Sequence, residues 1–114
     1  MSIPSRYTII GAGHGGKAMA AHLALMGAEV ILYNRTPEHI AAIQARGGID
    51  LEGGEMAPRG FGRLASVTSD VAEAVSHAEI IMVVVPSSAH ADVAKSLAPH
   101  LRDGQIVVLN PGRT

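Results

Sequence analysis

The feature that most constrains the fold is a short apolar run near the amino terminus that stops at three spaced glycines. The run from Tyr7 to Ile10 is apolar and β-branched, as a buried strand should be. Gly11, Gly13 and Gly16 follow it with the spacing G-x-G-x-x-G, and a stretch rich in Ala, Leu and Met comes next. A strand, a glycine-rich turn and a helix in this order predict a unit whose turn can hold a phosphate group.

The rest of the chain continues the alternation of strands and helices. Further strands are predicted at 28–34, 65–68, 79–86 and 105–112, and the last two are apolar runs without alternation, which is typical of buried parallel strands. Helices are predicted to begin at Thr36 and Asp70, which are residue types that favour a helix start, and a further helix is predicted from about Ser88. Between 47 and 66 the glycines and prolines indicate a hairpin or an irregular excursion.

This pattern predicts a single α/β domain over residues 1–114. Alternating strands and helices form a mainly parallel sheet through right-handed crossovers, with helices on both faces. The expected fold is therefore Rossmann-like and doubly wound.

Composition excludes several other classes of protein. The net charge of −1 provides no basic surface for a nucleic acid. Cysteine is absent, so disulfide scaffolds and thiolate metal sites are excluded, and a reducing compartment is favoured. The start of the chain lacks a signal peptide, and no apolar run has the roughly 20 residues that a membrane span needs. We expect a cytoplasmic protein without a membrane partner.

The glycine-rich turn is predicted to hold the pyrophosphate of a dinucleotide. In such turns the first glycine permits the tight turn, the second permits close approach of the pyrophosphate, and the third permits close packing of helix on strand. The amide groups at the start of the helix then face the anion. The predicted contact residues in this turn are Gly11, Ala12, Gly13, His14, Gly15 and Gly16.

The end of the second strand predicts which dinucleotide is favoured. Sites specific for NAD place Asp or Glu here to bind the adenosine ribose, but this chain has Asn34, Arg35 and Thr36. Arg35 can bind a 2′-phosphate, with Asn34 and Thr36 as auxiliary donors. One charge-assisted hydrogen bond contributes about 1.5–3 kcal/mol, or roughly 10- to 150-fold. NADP is therefore the expected cofactor, with NAD as the alternative.

The ends of the last two strands are predicted to flank the nicotinamide half of the cofactor. They carry Val85, Pro86 and Ser87, and then Asn110 and Pro111.

Two of the six histidines fall near this cleft. His14 lies in the glycine turn, and His90 lies in the first turn of the helix after the strand at 79–86. A wall of the cofactor site or a simple surface position is a more frequent role for them than catalysis. No histidine has the spacing of a metal pair, so no metal site is predicted and the catalytic residues stay unassigned.

Three segments together resemble the amino-terminal cofactor domain of the octopine/nopaline (opine) dehydrogenase family. They are "GAGHGGKAMAAHLALMGAEVILYNRT", "IIMVVVPSSAHADVAKSLAPHL" and "GQIVVLNPGRT". The wider relatives are the 6-phosphogluconate, ketopantoate and glycerol-3-phosphate dehydrogenases. The family commonly has Asn where this chain has His14.

The resemblance implies an NAD(P)-dependent oxidoreductase that condenses an amino acid with a 2-oxo acid and reduces the resulting imine. It also implies a second, helical domain that supplies the catalytic residues and binds most of the small-molecule substrate. Because such a domain is expected after residue 114, this chain alone is expected to be inactive.

Other functions remain open at this stage. The chain could be a free-standing NADP(H)-binding or redox-sensing module, or the cofactor domain of a ketopantoate-reductase-like enzyme. A site for FAD or S-adenosylmethionine is less consistent with Asn34 and Arg35. A sheet that ends on "IVVLNP" would expose an apolar strand edge, so a homo-oligomer is expected.

Overall fold

The computed structural model describes residues 6–51, 60–76 and 78–109 of the chain. In these ranges the helices and strands are β1 Arg6–Ile10, α1 His14–Leu25, β2 Glu29–Tyr33, α2 Ala41–Arg46, β3 Gly48–Leu51, β4 Gly60–Arg63, β5 Ser66–Thr68, α3 Val71–Val75, β6 Ile80–Val83, α4 His90–Leu97 and β7 Ile106–Leu109. Short 3₁₀ turns lie at Pro37–His39, Ser87–Ala89 and Ala98–His100. None of the helices in the described ranges is long and apolar enough to cross a membrane.

Five strands form one parallel sheet in the order β5-β2-β1-β6-β7. β1 lies at the centre, and the chain winds outward from it in one direction through β2 and β5 and in the other through β6 and β7. This is the doubly wound, Rossmann-like arrangement predicted from the sequence. The hairpin expected between 47 and 66 is also confirmed, because β3 pairs antiparallel with β4 as a separate two-stranded sheet.

Successive side chains of the central strands enter two separate apolar cores. Ile9 packs on the face covered by α1, α2 and the hairpin, whereas Ile10 packs on the face covered by α3 and α4. Because neighbouring residues of a strand point to opposite faces, a strand covered on both sides is apolar throughout. The prediction of helices on both faces is confirmed.

The predicted helix starts differ in how they are built. The Asp70 carboxylate caps α3 by accepting hydrogen bonds from the amides of Ala72 at 3.0 Å and Glu73 at 3.4 Å. The Thr36 side chain makes no capping bond. The helix expected from Thr36 is also interrupted at Ile40, which has φ −117° and ψ 0°, where its side chain is fully buried. A 3₁₀ turn therefore precedes a short α2.

The prediction that the last strand is buried was wrong. Ile106 and Leu109 in β7 are 56% and 55% exposed, and Val107 and Val108 are 38% and 37% exposed. β7 pairs only with β6, and within the described residues no helix packs over it. The apolar composition of β7 predicts a strand correctly. Its burial would require elements packed over both faces, and the described residues do not provide them.

Candidate functional site

The candidate site lies at the edge of the sheet where the parallel strands end. Hydrogen bonds continue one residue past the strands there. The Gly11 amide donates to the Tyr33 carbonyl at 2.8 Å, and the Val84 amide donates to the Ile10 carbonyl at 2.8 Å. The loops after β1, β2 and β6 therefore leave the sheet side by side. The strand order reverses at this point, which is where ligands bind in doubly wound sheets.

Two of the predicted glycines are required by close backbone contacts. Gly11 has φ 112°, and a Cβ there would collide with the Val84 carbonyl oxygen and lie 2.8 Å from Cγ1 of Val85. A Cβ on the buried Gly16 would overlap the Gly11 carbonyl oxygen. Gly11 thus turns the chain tightly against the loop after β6, and Gly16 brings α1 close to the end of β1, as the sequence predicted.

Gly13, the second glycine of the motif, faces open space and fits a ligand. Gly13 precedes α1 in an extended conformation, and a Cβ placed on it would meet nothing within 4 Å. No side chain caps α1, and its first turn contains no acidic residue. The first amides of a helix lack intrahelical acceptors and attract an anion. His14 and Gly15 are exposed beside Gly13, so this end of α1 fits the pyrophosphate of a dinucleotide.

Asn34 joins the glycine turn to the turn after β2. Its Oδ1 accepts a hydrogen bond from the half-buried Ala12 amide at 3.3 Å, and its Nδ2 donates to the Thr36 carbonyl at 3.2 Å. Nδ2 also lies 3.4 Å from Nδ1 of His39. The sequence suggested Asn34 as a donor to a phosphate, whereas the structure places its amide in contacts that hold the two turns together.

Arg35 follows Asn34 and is exposed. Within the part of the chain that the structure describes, its guanidinium makes no ion pair or hydrogen bond. The side chain is therefore available to a ligand that reaches the end of β2. No carboxylate lies among Asn34, Arg35 and Thr36, so nothing in this turn repels a phosphate.

A cavity of about 190 Å³ opens between the end of β2 and helix α4. A single water needs roughly 10–15 Å³, so a small organic group has room here. Five residues predicted to contact the cofactor line this cavity, and these are Gly11, Asn34, Arg35, Val85 and Pro86. The remaining walls come from the ends of β1 and β2, from α3 and from α4. These additional lining residues are Ile10, Tyr33, Val71, Ala89, Asp92, Val93, Ser96 and Leu97.

The other predicted site residues lie around this cavity or outside the described ranges. His90 begins α4, and its Nε2 lies 3.2 Å from the Val85 carbonyl, so the ring braces the loop after β6. Ser87 begins the 3₁₀ turn before α4. Asn110 and Pro111 lie outside the described residues.

The histidines and acidic residues do not gather into a metal centre. Across residues 6–51, 60–76 and 78–109, no group of three or more His, Asp or Glu side chains is placed to hold a metal ion. His14 is exposed at the start of α1, and His90 contacts a backbone carbonyl.

The contribution of α4 to the cavity was missed from the sequence. Asp92 and Ser96 are spaced i, i+4, as are Val93 and Leu97, so each pair lies on one side of the helix. This spacing is visible in the sequence. It places a polar pair beside an apolar pair on the helix that follows the strand at the switch point, and so it indicates a helix that lines a site.

The sequence matches known proteins over almost its whole length. Residues 6–109 match the family described as NADP oxidoreductase, coenzyme F420-dependent. The opine dehydrogenase of Arthrobacter sp. (strain 1C) is 41% identical over 108 residues, which cover 95% of this chain and 30% of that protein. The glycerol-3-phosphate dehydrogenase (NAD(P)+) of Vibrio vulnificus (strain YJ016) is 40% identical over 97 residues, which cover 84% of this chain and 27% of that protein.

Solved structures show the same fold. An octopine dehydrogenase with NADH and L-arginine has a TM-score of 0.77 and 20% identity, and the match covers 91% of this chain and 28% of that one. At that identity the likeness shows the fold alone. The PanE/ApbA family ketopantoate reductase from Ralstonia eutropha JMP134 has a TM-score of 0.74 and 30% identity, over 92% of this chain and 34% of that one.

This chain spans only 27% to 30% of the length of those two curated relatives. The relatives include dehydrogenases named for NAD(P)+ and a structure with NADH. The matched region, residues 6–109, is the part of this chain that has the Rossmann-like fold. This region includes the glycine turn, the open end of α1 and the cavity beside β2. The chain therefore belongs to the NADP oxidoreductase, coenzyme F420-dependent family, and it is an NAD(P)-binding domain of oxidoreductases related to opine dehydrogenase, glycerol-3-phosphate dehydrogenase and ketopantoate reductase.

Proposed function

We propose that this domain prefers NADP(H) to NAD(H) and serves an opine-dehydrogenase-like oxidoreductase. The observation that carries the cofactor preference is the turn after β2, where Arg35 is exposed without a protein partner in the described part of the chain. Asn34 takes the place where NAD-specific sites have an acid. The turn thus offers a cation and no carboxylate to a 2′-phosphate.

Each part of the cofactor has a proposed place on the sheet edge. Gly13, His14 and Gly15 at the start of α1 would hold the pyrophosphate through backbone amides. Arg35 would hold the 2′-phosphate of the adenosine ribose, with Thr36 as an auxiliary residue. The nicotinamide would lie toward the loop at 85–87, and the contribution of Asn110 and Pro111 stays a prediction from the sequence.

The proposed reaction is the reductive condensation of an amino acid with a 2-oxo acid. The amine and the carbonyl join with loss of water, and the resulting C=N bond gains a hydride and a proton to become a secondary amine. When bound, the reduced nicotinamide supplies the hydride. Support for this reaction is the 41% identity to the opine dehydrogenase of Arthrobacter. The substrate would be bound mainly by residues other than those described.

Paired titrations with NADPH and NADH test the cofactor preference. The protein should bind NADPH about 10-fold more tightly, because one exposed charge-assisted hydrogen bond contributes near the lower end of its usual range. Arg35→Ala should lower NADPH affinity to the level of NADH and leave NADH binding nearly unchanged. Arg102→Ala is a matched control, because Arg102 is exposed in the loop before β7, at the opposite edge of the sheet. Equal or tighter NADH binding by the unmodified protein would overturn the preference.

The reaction is tested on the complete natural protein. NADPH oxidation should require an amino acid and a 2-oxo acid together, with a secondary amine as product. Oxidation with a 2-oxo acid alone would favour the ketopantoate-reductase-like alternative, which the solved neighbour supports. Cofactor binding without turnover of either kind would favour a free-standing binding or sensing module.

A further inference from the structure

The cavity beside β2 has polar groups on two different elements and an apolar interior. Arg35 and Asn34 reach it from the end of β2, whereas Asp92 and Ser96 reach it from α4. Between them the lining is mostly apolar, with Val93 and Leu97 on α4 among the contributors. A site of this kind suits a flat, weakly polar ring whose edge carries hydrogen-bonding groups.

The two polar α4 residues that line the cavity have no side-chain partner among the described residues. Neither Asp92 nor Ser96 makes a side-chain hydrogen bond or an ion pair to the residues the structure describes. As an i, i+4 pair, they have Cβ atoms about 5–6 Å apart on one side of the helix. Their polar atoms can therefore converge on one edge of a single ring.

The position of the cavity indicates which half of a dinucleotide enters it. In a doubly wound sheet the residues at the end of β2 contact the adenosine ribose. The cavity also includes Val85 and Pro86 from the loop proposed to face the nicotinamide. Asn34 and Arg35, however, belong to the turn at the ribose, so the group attached to that ribose is the one that lies next to α4. That group is the adenine base.

We propose that Asp92 and Ser96 select the adenine base of the cofactor by its edge. The Asp92 carboxylate accepts a hydrogen bond from the 6-amino group, and the Ser96 hydroxyl donates to a ring nitrogen. This inference rests on the proposed function, because it deepens the same site. An ionised carboxylate can only accept hydrogen bonds, so it favours an amino group and repels a carbonyl oxygen at the same position. The chain therefore discriminates adenine from a 6-oxo purine.

A purely structural role for Asp92 predicts a different result. Asp92 lies in the first turn of α4, where a negative charge stabilises the helix through its dipole. Loss of that contribution would weaken binding of all dinucleotides alike. The ratio of two affinities, for cofactors that differ only at position 6 of the purine, separates base selection from helix stability.

The experiment is calorimetric titration with NADPH and with its hypoxanthine analogue, in which a carbonyl oxygen replaces the 6-amino group. The unmodified protein should bind NADPH about 10-fold more tightly than the analogue. In Asp92→Asn the ratio should fall to within about twofold of unity, because an amide presents either a donor or an acceptor. Asp103→Asn is the matched control, since Asp103 is exposed in the turn before β7, and it should keep the full ratio.

The outcomes separate this inference from the proposed function. Equal binding of NADPH and the analogue by the unmodified protein overturns base selection and leaves the cofactor domain intact. An unchanged ratio in Asp92→Asn also overturns it, even if both affinities fall. Failure of the unmodified protein to bind either nucleotide overturns the proposed function itself, and base selection with it.

Discussion

The Asn34 side chain accepts a hydrogen bond from the backbone amide of Ala12, with 3.3 Å between Oδ1 and N. The turn after β2, proposed to bind the ribose, and the glycine turn after β1, proposed to bind the pyrophosphate, are thus joined directly. Because Nδ2 of Asn34 donates to the Thr36 carbonyl, one side chain links the two turns proposed to bind phosphate. Under the proposed function, Asn34 would act on the cofactor mainly through the backbone that it holds.

Asn34→Asp should abolish the preference for NADPH and can shift it toward NADH. A carboxylate keeps the acceptor for the Ala12 amide, but it loses the donor to Thr36 and adds a negative charge beside Arg35. The charge repels a 2′-phosphate and accepts hydrogen bonds from ribose hydroxyls, as in NAD-specific sites. The ratio of NADPH to NADH affinity should fall at least about 10-fold in titrations. Asn34→Ala, which lacks both groups, should weaken the two cofactors to similar degrees, and a ratio unchanged in Asn34→Asp would contradict this prediction.

Gly13→Ala should weaken cofactor binding without loss of stability, whereas Gly16→Ala should lower stability. A Cβ on Gly13 meets open space, so the melting temperature should stay nearly constant while cofactor affinity falls about 10-fold, since the methyl group stands where the pyrophosphate approaches. A Cβ on Gly16 overlaps the Gly11 carbonyl, and such overpacking costs about 1–3 kcal/mol. That cost corresponds to roughly 5–15 °C in Tm. Equal loss of Tm in both variants would show that the space at Gly13 is not open.

Gln105→Ala should destabilise the domain without affecting the cofactor. The Gln105 Nε2 donates to the carbonyls of Val75 at 2.7 Å and Ala78 at 3.0 Å, and its Oε1 accepts from the Arg102 amide at 2.8 Å. Loss of these partly buried bonds should lower the free energy of unfolding by about 1–3 kcal/mol in urea.

Gln44→Ala is the control for that measurement. Gln44 is exposed and makes one side-chain bond, to the Val67 carbonyl at 2.8 Å, so its loss should cost no more than about 1 kcal/mol. If the two variants lost the same free energy of unfolding, the three bonds of Gln105 would contribute no more than the single exposed bond of Gln44.

The exposed strand β7 should drive association between copies of the chain. Its apolar side chains are partly exposed, and among the described residues its outer edge pairs with no further strand, so its backbone groups can pair with another copy. Light scattering should show a mass that rises with concentration, and Val107→Lys should shift the chain toward the monomer. Met26→Lys is the control, because Met26 is 57% exposed at the end of α1, away from this edge. A monomer at all concentrations of the unmodified chain would contradict the expected homo-oligomer.

The parts of the fold that depend on local pattern were predictable from the sequence. Apolar runs without alternation identified β1 and β6, and the glycine spacing predicted the close contacts of Gly11 and Gly16. The Asp70 cap was also predicted, because capping involves residues only a few positions apart. In each case the relevant neighbours are close in sequence or are dictated by the motif.

The parts that depend on distant neighbours were not predictable. The burial of β7 was expected from its composition, but exposure depends on which elements cover it. Asn34 was expected to face a ligand, yet its partners are fixed by how the turn folds back on the loop after β1. The cavity residues Asp92 and Ser96 come together with Arg35 only when α4 packs against the end of the sheet.

The contact between Gly11 and the loop after β6 has a consequence for how the proposed cofactor would enter. Because a Cβ at Gly11 would collide with the Val84 carbonyl oxygen, the spacing between these two loops is set by backbone contact and not by side-chain rotation. The conformational entropy of this turn is therefore lost when the domain folds and not when the ligand arrives. Such a preorganised cradle needs no opening step, so association should proceed at the rate at which a correctly oriented dinucleotide diffuses to it.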